Sequence, residues 1–293
     1  MRRRGGNNAG LILLALQVAQ IGFDKIPPVT LIVGAINVLL HYVDTRLSIY
    51  DVCIGAGMVW HRLDLRRLLL ASFFHLDDMH LYYNMVSLLW KGRDLEPRMG
   101  SKRFATLVVL FALVSNMLMV VGSVLLDRFA DMPGPYNSCA VGFSAVLFAL
   151  KVVTTHYSTS PYSHFMGMLV PTQYLYWFEL VLIHLLVPGS SFFGHLCGIL
   201  TGILYVKGVF RPILELVDFV LSFFLGGLPP SASGGGGGRS LRDGVIYTNG
   251  GHAPSHGYAH QPGPYTATSQ PSASPHYSVG RGGSFAGRGY RLS

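Results

Sequence analysis

Ala140-Val141-Gly142-Phe143-Ser144-Ala145-Val146-Leu147 and Phe192-Phe193-Gly194-His195-Leu196-Cys197-Gly198-Ile199 decide the fold of this chain. Both stretches are apolar, and each carries one residue capable of chemistry, Ser144 in the first and His195 in the second. An ionisable side chain at membrane depth is costly and usually marks a functional site. A serine on one helix and a histidine on another form the minimal nucleophile-and-base pair. Small residues surround both: Gly142, Ala145 and Ala149 flank Ser144, and Gly194, Gly198 and Gly202 recur every fourth residue beside His195. Such faces let helices approach closely, and contact between them would bring Oγ and imidazole together. The competing readings are structural: a serine bonded to its own helix one turn back, and a packing histidine held by a carbonyl.

Composition supports a membrane setting. Half of the 293 residues are hydrophobic and 12% are charged, against roughly a quarter in ordinary soluble domains. The formal charge of +8 raises the question of nucleic acid. The basic residues cluster at segment ends and in the tail, which fits membrane topology and leaves no nucleic-acid partner expected. Cys53, Cys139 and Cys197 are odd in number and lack metal-ligand spacing, so neither a disulfide framework nor a metal site is expected. Cys139 and Cys197 read as small buried residues, and the chemistry calls for no cofactor.

Apolar runs predict six helical spans, at about 26–43, 79–95, 104–126, 142–154, 172–187 and 192–206. The last three are short against the ~20 residues a bilayer core requires, which implies local thinning or a wet interior. Residues 1–25 read as a cytosolic N-terminus with an apolar helix at 10–23, interfacial or partly inserted. Residues 26–210 read as the membrane domain. The segment 211–228, with Glu215, Asp218 and Ser222 on one face, is amphipathic and interfacial or a further span. From 229 to 293, Gly, Ser, Pro, Tyr and His dominate, and a disordered cytosolic tail is expected. Lys91, Arg93, Arg98, Lys102 and Arg103 form the densest basic cluster of the membrane region. The positive-inside rule puts that loop in the cytosol, and counting spans from it puts both termini there too.

Peptide hydrolysis also needs donors for the developing oxyanion. His80 and Asn84 lie four residues apart, on one helix face, with Asp77 or Asp78 as the N-cap of that helix. The Ser144 amide, near a helix start, offers another free N–H. No aspartate is evident as a third catalytic member, so the pair reads as a dyad. The stretch around Ser144 lacks the second glycine of a Gly-x-Ser-x-Gly elbow. His184 and Glu179 sit five apart, a poor same-face spacing, and His41 and His75 read as interfacial.

Four motifs in order then resemble the rhomboid intramembrane protease family: His80-x-x-x-Asn84, Glu96-Pro97-Arg98-Met99-Gly100, Gly142-Phe143-Ser144-Ala145, and His195-x-x-Gly198-x-x-x-Gly202. Asn84-Met85 through Trp90-Lys91-Gly92, and Ala140 through Lys151, are most similar to the branch of that family found in the endoplasmic reticulum and its plant relatives. The resemblance implies an all-α, six-helix membrane bundle in the endoplasmic reticulum. Ser144 would be the nucleophile, His195 the general base and acid, and His80, Asn84 and the Ser144 backbone the oxyanion donors. Gly142, Gly194, Gly198 and Gly202 would pack helices. Membrane-spanning protein substrates, the lipid bilayer and, through the tail, degradation machinery would be the partners, in a role such as membrane-protein turnover. Two departures stand out: Arg66-Arg67 replaces a Trp-Arg pair in the first loop, and Phe148 replaces a tyrosine one turn after the serine. The alternative function is a non-catalytic, client-binding relative, a class that lacks the Ser–His pair. A small transporter would show inverted repeats, and none is apparent.

Overall fold

Proline at the start, glycine at the breaks and apolar residues between set the order of twelve α-helices. The structure, a computed structural model, describes residues 8–43, 47–165, 167–187 and 189–224, and the backbone of 240–242 and 245–247. The helices are α1 (Ala9–Ile21), α2 (Pro28–Tyr42), α3 (Ile49–Val52), α4 (Ala56–Arg62), α5 (Arg67–Leu70), α6 (Asp78–Met99), α7 (Ser101–Ala130), α8 (Pro133–Tyr136), α9 (Ser144–His156), α10 (Leu175–Leu186), α11 (Phe192–Val206) and α12 (Arg211–Phe224). Between α9 and α10, β1 (Tyr162–Phe165) and β2 (Met168–Pro171) pair antiparallel, with Tyr162 opposite Pro171. A second hairpin pairs β3 (Ser240–Arg242) with β4 (Val245–Tyr247) inside the segment expected to be disordered. The rest of that segment lies outside the described residues.

The expected spans map onto α2, α6, α7, α9, α10 and α11 with shifted ends. Only α11 keeps its bounds. α6 runs to Met99, through Pro97 in its last turn, and Gly100, at φ +83°, breaks it from α7. α9 begins at Ser144 rather than at residue 142. By length and composition, α7 alone among the described helices is enough to cross a bilayer. α11 and α12 pass the same test only as a pair bent by 77°. At 1.5 Å per residue, the 13 residues of α9 reach about 20 Å, short of a ~30 Å hydrocarbon core. Six crossings therefore do not follow from helix length.

The N-terminal helix α1 packs against α6. The Gly10 Cα faces the Asp78 backbone so closely that a Cβ there would lie 2.2 Å from its carbonyl oxygen. α1 thus begins at the end of the bundle where α6 begins. α2 runs the other way, from Glu96 at the end of α6 to His41, which bonds Asp78 at its start. α12 leans on the opposite end, where Asp218 pairs with Arg103. The start of α1 and the Asp218 turn of α12 therefore lie at opposite ends of the bundle. The termini themselves, 1–7 and 225–293 apart from the hairpin backbone, lie outside the described residues.

Buried side chains of α2, α6, α7, α9 and α11 make the main core, with Leu88, Leu95, Phe104, Leu107, Phe111, Val146 and Leu150 essentially inaccessible. Glu96 is buried there as well and joins three elements. Its carboxylate accepts from Val29 N (2.9 Å), Thr30 N (2.7 Å), Thr30 Oγ1 (2.7 Å) and Ser101 Oγ (2.7 Å). The free N–H groups that open α2 are thereby satisfied by a side chain 66 residues away in sequence.

The first loop is tied down by Arg67, which is buried. Its guanidinium donates to Tyr50 O (2.8 Å), Cys53 O (2.9 Å) and Asp64 Oδ2 (2.8 Å). Arg66 and Arg67 together hold the Asp64 carboxyl below its usual range. The loop is therefore anchored without the tryptophan of the family pattern. It is also bridged: Cys53 and Cys139 form a disulfide, beside an antiparallel bridge in which Ile54 N donates to Ala140 O and Ala140 N to Ile54 O. This corrects the expectation of no disulfide. An odd cysteine count excludes complete pairing, not one pair. Cys197 remains free and buried, as expected.

Candidate active site

The carbonyl of Ala71 receives the amide of Gly142 at 2.9 Å and so positions the turn that leads into α9. The segment that carries it is held from α7. Asn116 Nδ2, a buried polar group in an apolar helix, donates to Leu68 O (2.7 Å) and Ser72 Oγ (3.0 Å) on either side of it. Gly142 adopts φ +125°, a conformation only glycine takes without strain. A side chain there would also strike the His80 ring, at 2.8 Å from Cε1 and Nε2. The close approach that Gly142 allows is thus to His80 of α6. Ser144 follows as the first residue of α9 and is half-buried.

His195 is buried on α11. Ser191 caps that helix through its Oγ, which accepts from Gly194 N at 3.1 Å. Gly198 and Gly202 bring α11 onto α9: an added Cβ would stand 2.2 Å from Ala145 O and 2.7 Å from Ala149 O respectively. Gly194 does not share this contact. It faces Ser191 and Met119 of α7, so the glycine stripe serves two interfaces. Behind it, Ser115 Oγ donates to Thr201 Oγ1 at 3.0 Å and ties α7 to α11.

The helices meet so that His195 Nε2 lies 2.9 Å from Ser144 Oγ, across 51 residues of sequence. His195 Nδ1 is buried and has no hydrogen-bond partner among the described residues. Among the described residues, no third residue orients the imidazole by hydrogen bonding. Packing does so instead: the Phe148 ring lies 4.7 Å from it, tilted by 32°.

The α6 residues complete the site. Asp77 caps the helix, accepting from His80 N at 2.8 Å. The Leu76 amide donates to His80 Nδ1 at 3.4 Å. That long contact favours the tautomer with hydrogen on Nε2, the nitrogen turned to Gly142. Asn84 is buried and spends one of its two N–H bonds on His80 O, at 2.7 Å. The Ser144 amide, at a helix start, has no intrahelical acceptor.

Two histidines read as interfacial are buried within the protein. His75 is almost wholly buried, with its ring 5.1 Å from that of His80. Burial pushes its imidazole well below the ordinary range, and His80 and His41 push the same way, so it stays neutral. His41 is buried and lies 2.9 Å from Asp78 Oδ1. A histidine at the end of an apolar run and an aspartate at a helix start were the only signals for that pair. Of the remaining polar residues, His184 packs on Phe192. Glu179 lies between Lys151 (3.0 Å) and Lys91 (3.7 Å).

A family model for the rhomboid domain matches residues 62–212, which holds every residue of this site. The chain is 42% identical over 214 residues to human Rhomboid-related protein 4, covering 73% of this chain and 68% of that one. It is 41% identical over 212 residues to Rhomboid-like protein 14, mitochondrial, of Arabidopsis thaliana, covering 70% and 63%. It is 32% identical over 143 residues to Rhomboid-type serine protease 2 of Eremothecium gossypii, covering 49% and 52%. The chain belongs to the rhomboid family.

Proposed function

We propose that this chain is an intramembrane serine endopeptidase acting through a Ser144–His195 dyad on membrane-anchored protein substrates. The observation that carries the reading is the 2.9 Å approach of Ser144 Oγ to His195 Nε2. Oγ attacks the scissile carbonyl while Nε2 takes its proton. The tetrahedral oxyanion lies among His80 Nε2–H, the second N–H of Asn84 and the Ser144 amide; well-placed donors of this kind contribute about 3–4 kcal/mol each. Collapse expels the amine, which receives the proton from Nε2. A water then attacks the acyl ester while giving a proton to Nε2, and collapse releases the new carboxyl terminus and Ser144, whose Oγ takes that proton back from Nε2. The imidazolium formed on the way has no carboxylate partner, and the Phe148 ring face stabilises it as a cation–π contact.

The six helices α2, α6, α7, α9, α10 and α11 are the membrane crossings in this reading, with the bilayer thinned around the short ones. The basic end of α6 faces the cytosol, and α12 and the tail follow it there. The Ser144 end faces the opposite side, and so does the start of α1. The Cys53–Cys139 bridge suits an oxidising lumen. The likeness to Rhomboid-related protein 4 favours the endoplasmic reticulum and a role in membrane-protein turnover, with degradation machinery meeting the tail. A mitochondrial relative makes the organelle a point to test by localisation of the tagged chain.

The test of the chemistry is cleavage of a single-span substrate bearing helix-breaking residues. Purified wild type and Ser144→Ala, in liposomes, are compared at matched folding. Cleavage by wild type alone is the expected result. Equal turnover of substrates by both forms, with binding retained, would reduce the dyad to packing and favour a client-binding adaptor.

A further inference from the structure

At the end of the bundle away from Ser144, a cavity of about 520 Å³ opens between the last turns of α6 and α9 and the β1–β2 hairpin. Its walls include Lys91, Arg98 and Lys151, and the hydroxyl residues Thr154, Ser158 and Thr159. The mechanism above uses none of them. Arg98 is matched by Asp94. The two lysines are not matched one for one, because both converge on the single carboxylate of Glu179, at 3.0 Å from Lys151 and 3.7 Å from Lys91. All three side chains are mostly buried, at 11%, 15% and 14% exposure for Lys91, Lys151 and Glu179. Two ammonium groups and one carboxylate leave one positive charge in excess. A charge withdrawn from water without a counter-charge is expensive. The Phe165 ring, 5.4 Å from Lys151 Nζ, offsets a part of it. Tyr157, another wall of the cavity, is buried with a hydroxyl that has no hydrogen-bond partner among the described residues.

The geometry points to an anion-binding site: we propose that this cavity takes a phosphate group, held by Lys91 and Lys151, which completes the charge balance of the Lys91–Glu179–Lys151 cluster. Phosphate supplies the missing negative charge and acceptor oxygens for ammonium and hydroxyl donors. Its source is either the headgroup of an anionic lipid or a free phosphate ion. The depth favours the lipid. The cluster lies about one turn inside the ends of α9 and α10 and about two turns inside the end of α6, within reach of a headgroup on the proposed cytosolic side. Because Glu179 is on α10, Lys91 on α6 and Lys151 on α9, an occupied site would tie these three helices together.

The test uses the full chain in detergent micelles. Dioctanoyl phosphatidylinositol 4-phosphate, dioctanoyl phosphatidylcholine and inorganic phosphate are titrated, with bound stoichiometry read by native mass spectrometry. The expected result is one saturable phosphoinositide per chain and no saturable phosphatidylcholine. Lys151→Met leaves Lys91 and Glu179 as a neutral one-to-one pair, so the helices stay charge-balanced, and affinity should fall about tenfold or more for one lost charged contact. Glu179→Gln, which leaves two cations, should bind at least as tightly as wild type. Circular dichroism and gel filtration establish that each variant is folded. Displacement of the lipid by inorganic phosphate supports the site and assigns it to phosphate as such; lipid binding that phosphate does not displace supports it and assigns it to the headgroup with its chains. No saturable binding of either anion overturns the proposal. Equal binding by wild type and Lys151→Met overturns it too, as would displacement of the lipid by a single-span substrate with an acidic residue at this depth, which would assign the cavity to substrate. None of these readouts depends on peptide cleavage, so they stand or fall apart from the protease reading.

Discussion

Gly198 lies against Ala145 with no room between them for a methyl group: a Cβ on Gly198 would stand 2.2 Å from the Ala145 carbonyl oxygen. That contact lies one turn past His195 and one residue past Ser144, so it sets the distance between nucleophile and base. Gly198→Ala is expected to push α11 away from α9. Overpacking of this kind costs about 1–3 kcal/mol, and a shift near 1 Å at a reacting centre costs roughly 100-fold in rate. Gly194→Ala meets only Ser191 Oγ at 3.0 Å and Met119 Sδ at 3.6 Å and should lose far less. Cleavage rates and thermal midpoints of the two variants, measured side by side, check the contrast.

Gly142→Ala should damage the oxyanion donors more than the fold. The substitution meets a positive φ and the His80 ring together. Backbone strain of this kind costs about 1–3 kcal/mol, and loss of one oxyanion donor lowers kcat by roughly 100- to 1000-fold. Labelling of Ser144 by a fluorophosphonate, read beside kcat, separates the two effects. A Gly142→Ala enzyme with wild-type kcat would remove His80 from its assigned role.

Phe148→Tyr should keep most activity, because the ring face against His195 is retained. Phe148→Ala removes both the packing that orients His195 and the face that stabilises its cation. A cation–π contact of about 0.5–2 kcal/mol converts to a loss of roughly 2- to 30-fold in kcat. The same variant should shift the lower limb of the pH–rate profile, which a purely structural role would leave in place.

Reduction of Cys53–Cys139 should loosen the first loop from the segment that leads into Ser144. Removing a native bridge costs about 2–4 kcal/mol, so dithiothreitol is expected to lower the unfolding midpoint of wild type. In Cys53→Ser/Cys139→Ser the midpoint should start low and show no response to reductant. Thiol labelling before and after reduction should count two additional reactive cysteines in wild type, with buried Cys197 silent in both.

Glu96→Ala should destabilise the bundle without touching the site. It leaves the Val29 and Thr30 amides without an acceptor, and hydrogen bonds to a charged group contribute about 1.5–3 kcal/mol each. Denaturant unfolding in mixed micelles is the measurement. The residual folded fraction is expected to cleave at the wild-type rate.

Much of this protein was legible in the chain itself. Apolar period and length gave the long helices with shifted ends, Asp77 marked a start, and Ser144, His195, His80 and Asn84 stood out as polar residues in apolar surroundings, where chemistry is the usual reason for their cost. What the chain could not reveal were the pairings between distant segments. Glu96 looked like part of a turn, yet its carboxylate caps α2. Cys53 and Cys139 looked unpaired until the Ile54–Ala140 bridge set them side by side. His41 had no evident partner until α2 met Asp78 of α6, and Glu179 had none until α10 met α6 and α9. Local periodicity is written in neighbouring residues, so the sequence by itself determined the elements and the candidate chemistry. The 2.9 Å between Ser144 and His195 depends on how closely Gly198 lets two helices approach, and only the tertiary structure decided that.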